Sequence, residues 1–361
     1  YIDTELVTVS LTPRIEADIK LDGMDVNSTI GLDYYYADYN SDRQLTKDGG
    51  EIHRYDGHQQ SIGLYAQNTL AANAKTDISL GARLQRTNFT AGDIYNAALT
   101  GFSAYNGRRA SLKKAEIQYA ANLGIDYRLN KKIAFFGRLA RSFRTPTIDE
   151  RIGSAANYSS FALKTQTSQD AEAGVRFRQG PFNLQSSVFI MRLRDELHYN
   201  PVTFINMNFD PTQRSGFENS FVWRIRDGLK FKGNVSWTRA KFRSGVYGGK
   251  EVPLVSDMTA GASLFWDIIK KKLKASATVN YFGGKRMEND ESNFQQKIEA
   301  YALVDLKLSG TLGRLDWSAK VNNILDRSYF NYAIASATTF GTYNAYPLPG
   351  RTFMLTAGMD F

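Results

Sequence analysis

Thr352-Phe353-Met354-Leu355-Thr356-Ala357-Gly358-Met359-Asp360-Phe361 closes the chain with a period of two. Successive side chains of an extended strand point to opposite faces, so Phe353, Leu355, Ala357, Met359 and Phe361 share one face while Thr352, Thr356, Gly358 and Asp360 share the other. An all-apolar face backed by a polar one predicts a strand with lipid on one side and an aqueous lumen on the other. The same pattern recurs upstream. Leu315, Trp317, Ala319 and Val321 alternate with Asp316, Ser318, Lys320 and Asn322, and Leu273, Ala275, Ala277, Val279 and Tyr281 alternate with Lys274, Ser276, Thr278 and Asn280. Further apolar rows are Leu229, Phe231, Gly233, Val235 and Trp237; Met258, Ala260, Ala262, Leu264 and Trp266; Phe217, Phe221, Trp223 and Ile225; and Ala171, Ala173, Val175 and Phe177.

Extended to the whole chain, this period predicts about 15 strands. They span 4–19, 27–40, 58–72, 77–91, 112–128, 132–145, 168–179, 182–196, 212–227, 229–241, 255–269, 272–284, 299–312, 314–326 and 350–361. Strands of soluble sheets average about 5–6 residues, and runs twice as long suit a tilted bilayer crossing. The connections alternate as well. Tight turns are expected near Ala74, Lys131, Gly180, Asp227, Lys271 and Gly313, and long polar loops over 41–57, 92–110, 146–167, 197–211, 242–254, 285–298 and 327–349. Short turns at one end and long loops at the other are the asymmetry of outer-membrane barrels. Aromatic residues gather at expected strand ends: Tyr34, Tyr35, Tyr36, Tyr127, Phe135, Phe136, Trp223, Trp237, Trp266, Tyr281 and Phe282. Amphipathic rings suit a headgroup interface. A large soluble β-sandwich or solenoid is the competing reading, and it leaves the short alternate connections unexplained.

Composition agrees with the barrel. The 361 residues would fit two globular domains or one large barrel, and 20 Tyr, 22 Phe, 29 Gly, only 8 Pro and no Cys are what long strands joined by turns would use. Pro146, Pro181, Pro201, Pro211, Pro253, Pro347 and Pro349 fall at segment ends or in loops, and only Pro13 sits inside an expected strand. No window reaches the roughly 18 apolar residues of a membrane-spanning helix. The mean hydropathy of −0.39 is low because a barrel strand shows only alternate side chains to lipid. The chain opens at Tyr1 without Met or a basic-then-apolar leader, so an export signal is expected to have been removed or never included. The net charge of +9 is spread along the chain. Its densest cluster, Lys270-Lys271-Lys272, falls in a tight turn, which reads as solvated rather than as a nucleic-acid surface.

Four short motifs then point to a family. Val321-Asn322-Asn323-Ile324-Leu325-Asp326-Arg327-Ser328-Tyr329, followed by Tyr346-Pro347-Leu348-Pro349-Gly350-Arg351 and a strand ending on Phe361, resembles the closing hairpin of TonB-dependent receptors. Ser142-Phe143-Arg144-Thr145-Pro146-Thr147, with Leu163-Lys164-Thr165-Gln166-Thr167-Ser168 and Glu172-Ala173-Gly174, resembles their mid-barrel signature. Gly63-Leu64-Tyr65-Ala66-Gln67-Asn68 and Arg214-Ser215-Gly216-Phe217-Glu218 resemble their strand openings. The resemblance covers 58–361 and implies a 22-stranded barrel with a plugged lumen. It makes 1–361 the C-terminal two-thirds of that barrel domain, with about seven strands, the plug and the TonB-engaging segment missing. It also makes Phe361 part of the signal read by the barrel-assembly machinery, and places the protein in the outer membrane of a Gram-negative bacterium among lipopolysaccharide and phospholipid.

The resemblance implies TonB-dependent import of a scarce, bulky nutrient. A ferric siderophore is the leading ligand class; cobalamin, haem, another organic cofactor or a carbohydrate stay open, as does a passive porin. Haem receptors of the family carry a histidine after their Phe-Arg-x-Pro element, and 147–168 holds none. An enzyme is not expected: His53, His58 and His198 lie in or at the edge of expected loops without a nucleophile motif. No metal site or cofactor is assigned. The candidate ligand residues are Tyr95, Tyr105, Arg108 and Arg109, then Arg151, Tyr158 and Phe161, then His198 and Tyr199, because flat rings and charge-assisted donors suit a large chelated anion.

Overall fold

Wherever the sequence alternates, the computed structural model has a strand. It describes residues 1–99, 107–152, 160–202 and 204–359. The elements are β1 (Ile2–Leu11), β2 (Arg14–Leu21), β3 (Met24–Gln44), β4 (Glu51–Asn73), β5 (Thr76–Tyr95), β6 (Leu112–Arg128), β7 (Ile133–Arg144), α1 (Ile148–Ile152), β8 (Gln166–Gln179), β9 (Phe182–Arg194), β10 (Glu196–Asn200) and β11 (Ile205–Phe209). They continue with β12 (Thr212–Arg226), β13 (Leu229–Phe242), β14 (Met258–Ile269), β15 (Leu273–Phe282), β16 (Tyr301–Leu312), β17 (Leu315–Asn322), β18 (Phe330–Ala335), β19 (Tyr343–Pro347) and β20 (Thr352–Met359). No helix among the described residues is long and apolar enough to cross a membrane.

The chain divides into two compact units. The first comprises Tyr1–Asp126, Arg138–Ala171 and Arg192–Pro211. Here β1 and β2 lie end to end along β3, from Ile2↔Arg43 to Leu11↔Tyr34 and from Arg14↔Gly31 to Leu21↔Met24. The expected strand 4–19 is thus interrupted at Pro13, which has no N–H to give the ladder, while the register carries straight on. Asp22 and Gly23 both have positive φ (49° and 80°), as a two-residue hairpin turn requires. β4 pairs with β3 and β5 with β4, aligning Leu32, Leu64 and Leu84 across one face. All three are exposed.

The second unit comprises Tyr127–Gly137, Glu172–Met191 and Thr212–Phe361. Its strands β12, β13, β14, β15, β16, β17 and β20 pair antiparallel in that order. One row of partners reads Trp223, Phe231, Leu264, Ala277, Leu306, Val321 and Phe353, apolar on every strand. The opposite face carries Lys232, Ser263, Thr278 and Asp305 in register. The apolar row is left open to the surroundings: Phe353 is 74% and Leu355 84% exposed. A soluble sandwich would cover that face with a second layer, and none of the described residues does so. Asp360 and Phe361 lie outside the described residues, so the assignment of the closing strand holds to Met359.

Four expectations about loops are corrected. The loop expected over 41–57 is mostly strand, because β3 and β4 stay paired to Gln44↔Glu51. Strands of 21 and 23 residues outrun the bilayer, and beyond it polar side chains replace the apolar alternation that marks a strand in sequence. The region 197–211 holds the hairpin β10–β11, and 327–349 holds β18–β19. Lastly, 146–167 includes α1 and a single 3₁₀ turn at Ser160–Ala162.

Candidate functional site

At the long-loop end of the first unit the polar face of β3, β4 and β5 continues outward and gathers aromatic and charged groups. The register puts Arg43 opposite His53 and His53 opposite Tyr95, with Tyr55 opposite Asp93 one step on. α1 is seated over this surface. Thr147 caps it, its hydroxyl accepting from the Glu150 N–H (3.2 Å) while the Glu150 carboxylate accepts from the Thr147 N–H (2.9 Å). Ile148 and Ile152 join Tyr39, Tyr55, Phe89, Ala91 and Phe161 in a buried cluster. A Cβ on Gly57 would come within 3.0 Å of Ile148, so the strand lets the helix approach by having no side chain there.

Two arginines are locked into this cluster. The Arg109 guanidinium lies over the rings of Tyr55 (4.9 Å) and Phe161 (5.5 Å), and its Nη1 donates to the Ile152 carbonyl. Arg151 lies over Phe89 (4.8 Å) and donates to the carbonyls of Phe161 (3.0 Å) and Leu163 (2.5 Å). Burial lowers the pKa of both guanidinium groups from the ordinary value. The aromatic faces and carbonyl dipoles offset part of the desolvation cost. Asp93 ties the approach segment down: its carboxylate oxygens lie 2.9 and 3.1 Å from His53 Nδ1, one accepts from the Arg109 N–H (2.7 Å), and its carbonyl accepts from Arg108 Nε (3.2 Å).

The hairpin β10–β11 joins the same assembly. Asn206 donates to the Glu150 carbonyl (3.0 Å), and Asn208 exchanges hydrogen bonds with the backbone of Lys164 (2.9 and 3.1 Å). The candidate residues therefore sort by burial. Arg109, Arg151 and Phe161 are buried and bind their own chain, Tyr95 stacks on His53 (4.8 Å), and His198 stacks on Phe209 (4.0 Å). Arg108 and Tyr199 are exposed, as are Val202 and Phe204 at the hairpin tip. Tyr105 and Tyr158 lie outside the described residues. Sequence reading passed over Arg43, Tyr55 and Asp93. They are distant in sequence from α1, and only the length of β3–β5 brings them beneath it.

The loop end of the second unit is closed by different chemistry. Arg286 Nε donates to Glu251 (2.8 Å) and its Nη1 to the Gln295 carbonyl (2.6 Å), while Lys297 donates to the other Glu251 oxygen (3.0 Å). Gln295 donates to the carbonyls of Ser336 (2.8 Å) and Thr339 (2.7 Å), and the Asn289 amide to that of Ala335 (2.9 Å). Burial raises the Glu251 carboxyl, but hydrogen bonds and charge from Arg286 and Lys297 outweigh it and hold the group below the usual range.

Comparisons with known proteins agree with this geometry. The family described as TonB dependent receptor-like, beta-barrel matches residues 3–324. No curated protein sequence matches the chain. Among solved structures, the ferric-catecholate import receptor Fiu of E. coli K12 superposes with a TM-score of 0.78 at 17% identity, over 100% of this chain and 55% of that one. The ferric yersiniabactin uptake receptor FyuA of Yersinia pestis gives 0.75 at 20% identity, over 100% and 55%. The ferripyoverdine receptor of Pseudomonas aeruginosa gives 0.74 at 14%, over 100% and 49%. The chain thus spans about half the length of these structures, and at such identities the likeness shows the fold.

Proposed function

The chain belongs to the TonB-dependent receptor family, and from that membership we infer that it is barrel wall and outer loops of an outer-membrane receptor that imports a bulky ferric siderophore under TonB drive. The family match over 3–324 carries the transport reading, and it favours a transporter over an enzyme. The half of the relatives' length that this chain does not match would hold the plug and the segment that engages TonB.

The cargo reading rests on the loop end of the first unit. Arg108 and Tyr199 present a cation and a ring on a base stiffened by buried Arg109, Arg151 and Asp93. Groups whose supports are already held in place bind a large planar anion at a lower ordering cost. Fiu, FyuA and the ferripyoverdine receptor are named for ferric ligands, which supports the same class.

The test is binding of a panel of ferric siderophores, ferric citrate, cobalamin and haem to the full receptor, with iron uptake measured with and without TonB. Submicromolar binding of one ferric siderophore and TonB-dependent uptake are expected, and Arg108→Ala with Tyr199→Ala should weaken binding at least tenfold, about 1.4 kcal/mol. Preferential binding of cobalamin or haem would sink the siderophore reading while leaving active transport standing. Uptake independent of TonB, with steady conductance in planar bilayers, would establish a porin instead.

A further inference from the structure

The arginines of β5 and β7 fall into two groups. Inward, on the polar face, Arg83 pairs with Asp33, Arg138 lies 3.8 Å from Asp170, and Arg144 at the end of β7 pairs with Glu150. Outward, on the apolar face, stand Arg86 and Arg141, and neither has a carboxylate partner among the described residues. Arg86 follows Leu84 on its face and lies opposite Ile62, bonded only to its strand neighbour Asn88 (3.3 Å). Arg141 sits between Leu139 and Phe143 on the alternation of β7. Its guanidinium carbon is 3.8 Å from the centre of the Tyr119 ring on β6, and its Nη1 donates to the Tyr119 carbonyl. Tyr119 belongs to the outward row with Ile117, Leu123 and Ile125, all of them exposed.

Charge on this face is costly at mid-membrane and nearly free at the interface, about 2–4 kcal/mol against 0–1. Arg141 stands about nine and Arg86 about eleven residues from the tight-turn end of its strand, where a tilted strand of about 9–11 residues reaches the far boundary of the hydrocarbon. Strands β5, β6 and β7 are neighbours, so the two guanidinium groups stand on strands about 10 Å apart. Stacking on Tyr119 fixes the plane of Arg141, and the donors not used by the Tyr119 carbonyl remain to meet an anion at that boundary.

We propose that Arg86 and Arg141, with Tyr119 as the platform, form a clamp for the phosphate groups of an outer-leaflet glycolipid. Acyl chains lie along Leu84, Leu139 and Ile117 while the phosphates take the two forks. This rests on the outward face meeting the membrane and is independent of what the loops import.

The full receptor in phosphate-free detergent would be titrated with bisphosphorylated lipid A, with its dephosphorylated form, and with inorganic phosphate. The wild type is expected to bind the phosphorylated lipid at least tenfold more tightly than the dephosphorylated one, with millimolar inorganic phosphate competing weakly. Arg86→Gln with Arg141→Gln should abolish that preference while leaving the apo melting temperature and the affinity for dephosphorylated lipid unchanged. Arg86→Lys with Arg141→Lys should keep most of the preference, separating charge from any folding defect. An undiminished preference in the double Gln variant overturns the clamp, and so does full displacement by inorganic phosphate. Failure of the wild type to bind either lipid would overturn the clamp as well.

Discussion

The two loop ends differ in what they bury. In the first unit, strands of more than 20 residues carry the sheet far beyond the bilayer, and the closure above them stacks Arg109 and Arg151 on aromatic rings. In the second, strands stop sooner and the loops are tied by Glu251, Arg286, Lys297, Asn293 and Gln295, which bind one another and the backbone. A cation on a ring in a dry cluster depends on packing, whereas a half-exposed ion pair depends on ionisation. The first end should therefore respond to side-chain deletion and the second to pH.

The largest effect is expected at Arg151, which is 1% exposed. Arg151→Ala empties the space over Phe89 and strips the Phe161 and Leu163 carbonyls of their donor, costing about 3–5 kcal/mol of local stability. Arg151→Lys recovers only part, because an ammonium lacks the planar fork. Protease nicking of 145–165 in the assembled barrel reads the loss. Resistance equal to the wild type would mean that the arginine does not hold this end together.

The wall between the loop ends and the turns gives the next test. Leu355→Arg, on the open apolar face, should lower the refolding free energy by about 2–4 kcal/mol, and Thr356→Arg on the polar face by much less. Equal values would overturn the face assignment of β20, which rests on the alternation of its sequence, the exposure of Phe353 and Leu355, and the register at Ala319↔Leu355 and Ser318↔Thr356.

The smallest effect is expected at Glu251. Its carboxyl is held below the usual range, so the stabilisation it gives is fully present above the unfolded value of about 4.3 and is lost as pH falls through the lower folded value. Glu251→Gln should cost about 1 kcal/mol at neutral pH, since the pair is partly exposed. Protection factors for amide exchange over 285–298, taken against the intrinsic rate at each pH, should be high at pH 7, fall as the wild type is acidified below the usual carboxylate range, and be already lower at pH 7 in the variant. A protection factor that does not change with pH would assign the closure to Asn293 and Gln295 instead.

Legibility followed the solvent. Where the chain crosses lipid, every second residue must be apolar, so 112–128, 182–196 and 229–241 coincide with β6, β9 and β13 to within two residues. Past the boundary that constraint lifts. Residues 41–57 look like a loop because Ser41, Arg43 and Tyr55 mix polar and aromatic types, although the backbone ladder runs through them. The ligand residues show the same limit. Aromatic and basic composition marked 92–110 and 146–167, but whether a given arginine meets a ligand or its own chain depends on what packs above it.

The sequence by itself determined the membrane-crossing strands, their two faces, the alternation of short and long connections, and the family, because each of these is written in local periodicity or in a short contiguous motif. The tertiary structure alone decided that β3, β4 and β5 outrun the membrane, that α1 brings its own Arg151 into the buried cluster with Arg109, and that Arg86 and Arg141 have no carboxylate partner among the described residues. Those outcomes depend on which residues the register sets side by side across tens of positions. The burial that turns a surface cation into an internal strut comes from that assembled neighbourhood, which no local window contains.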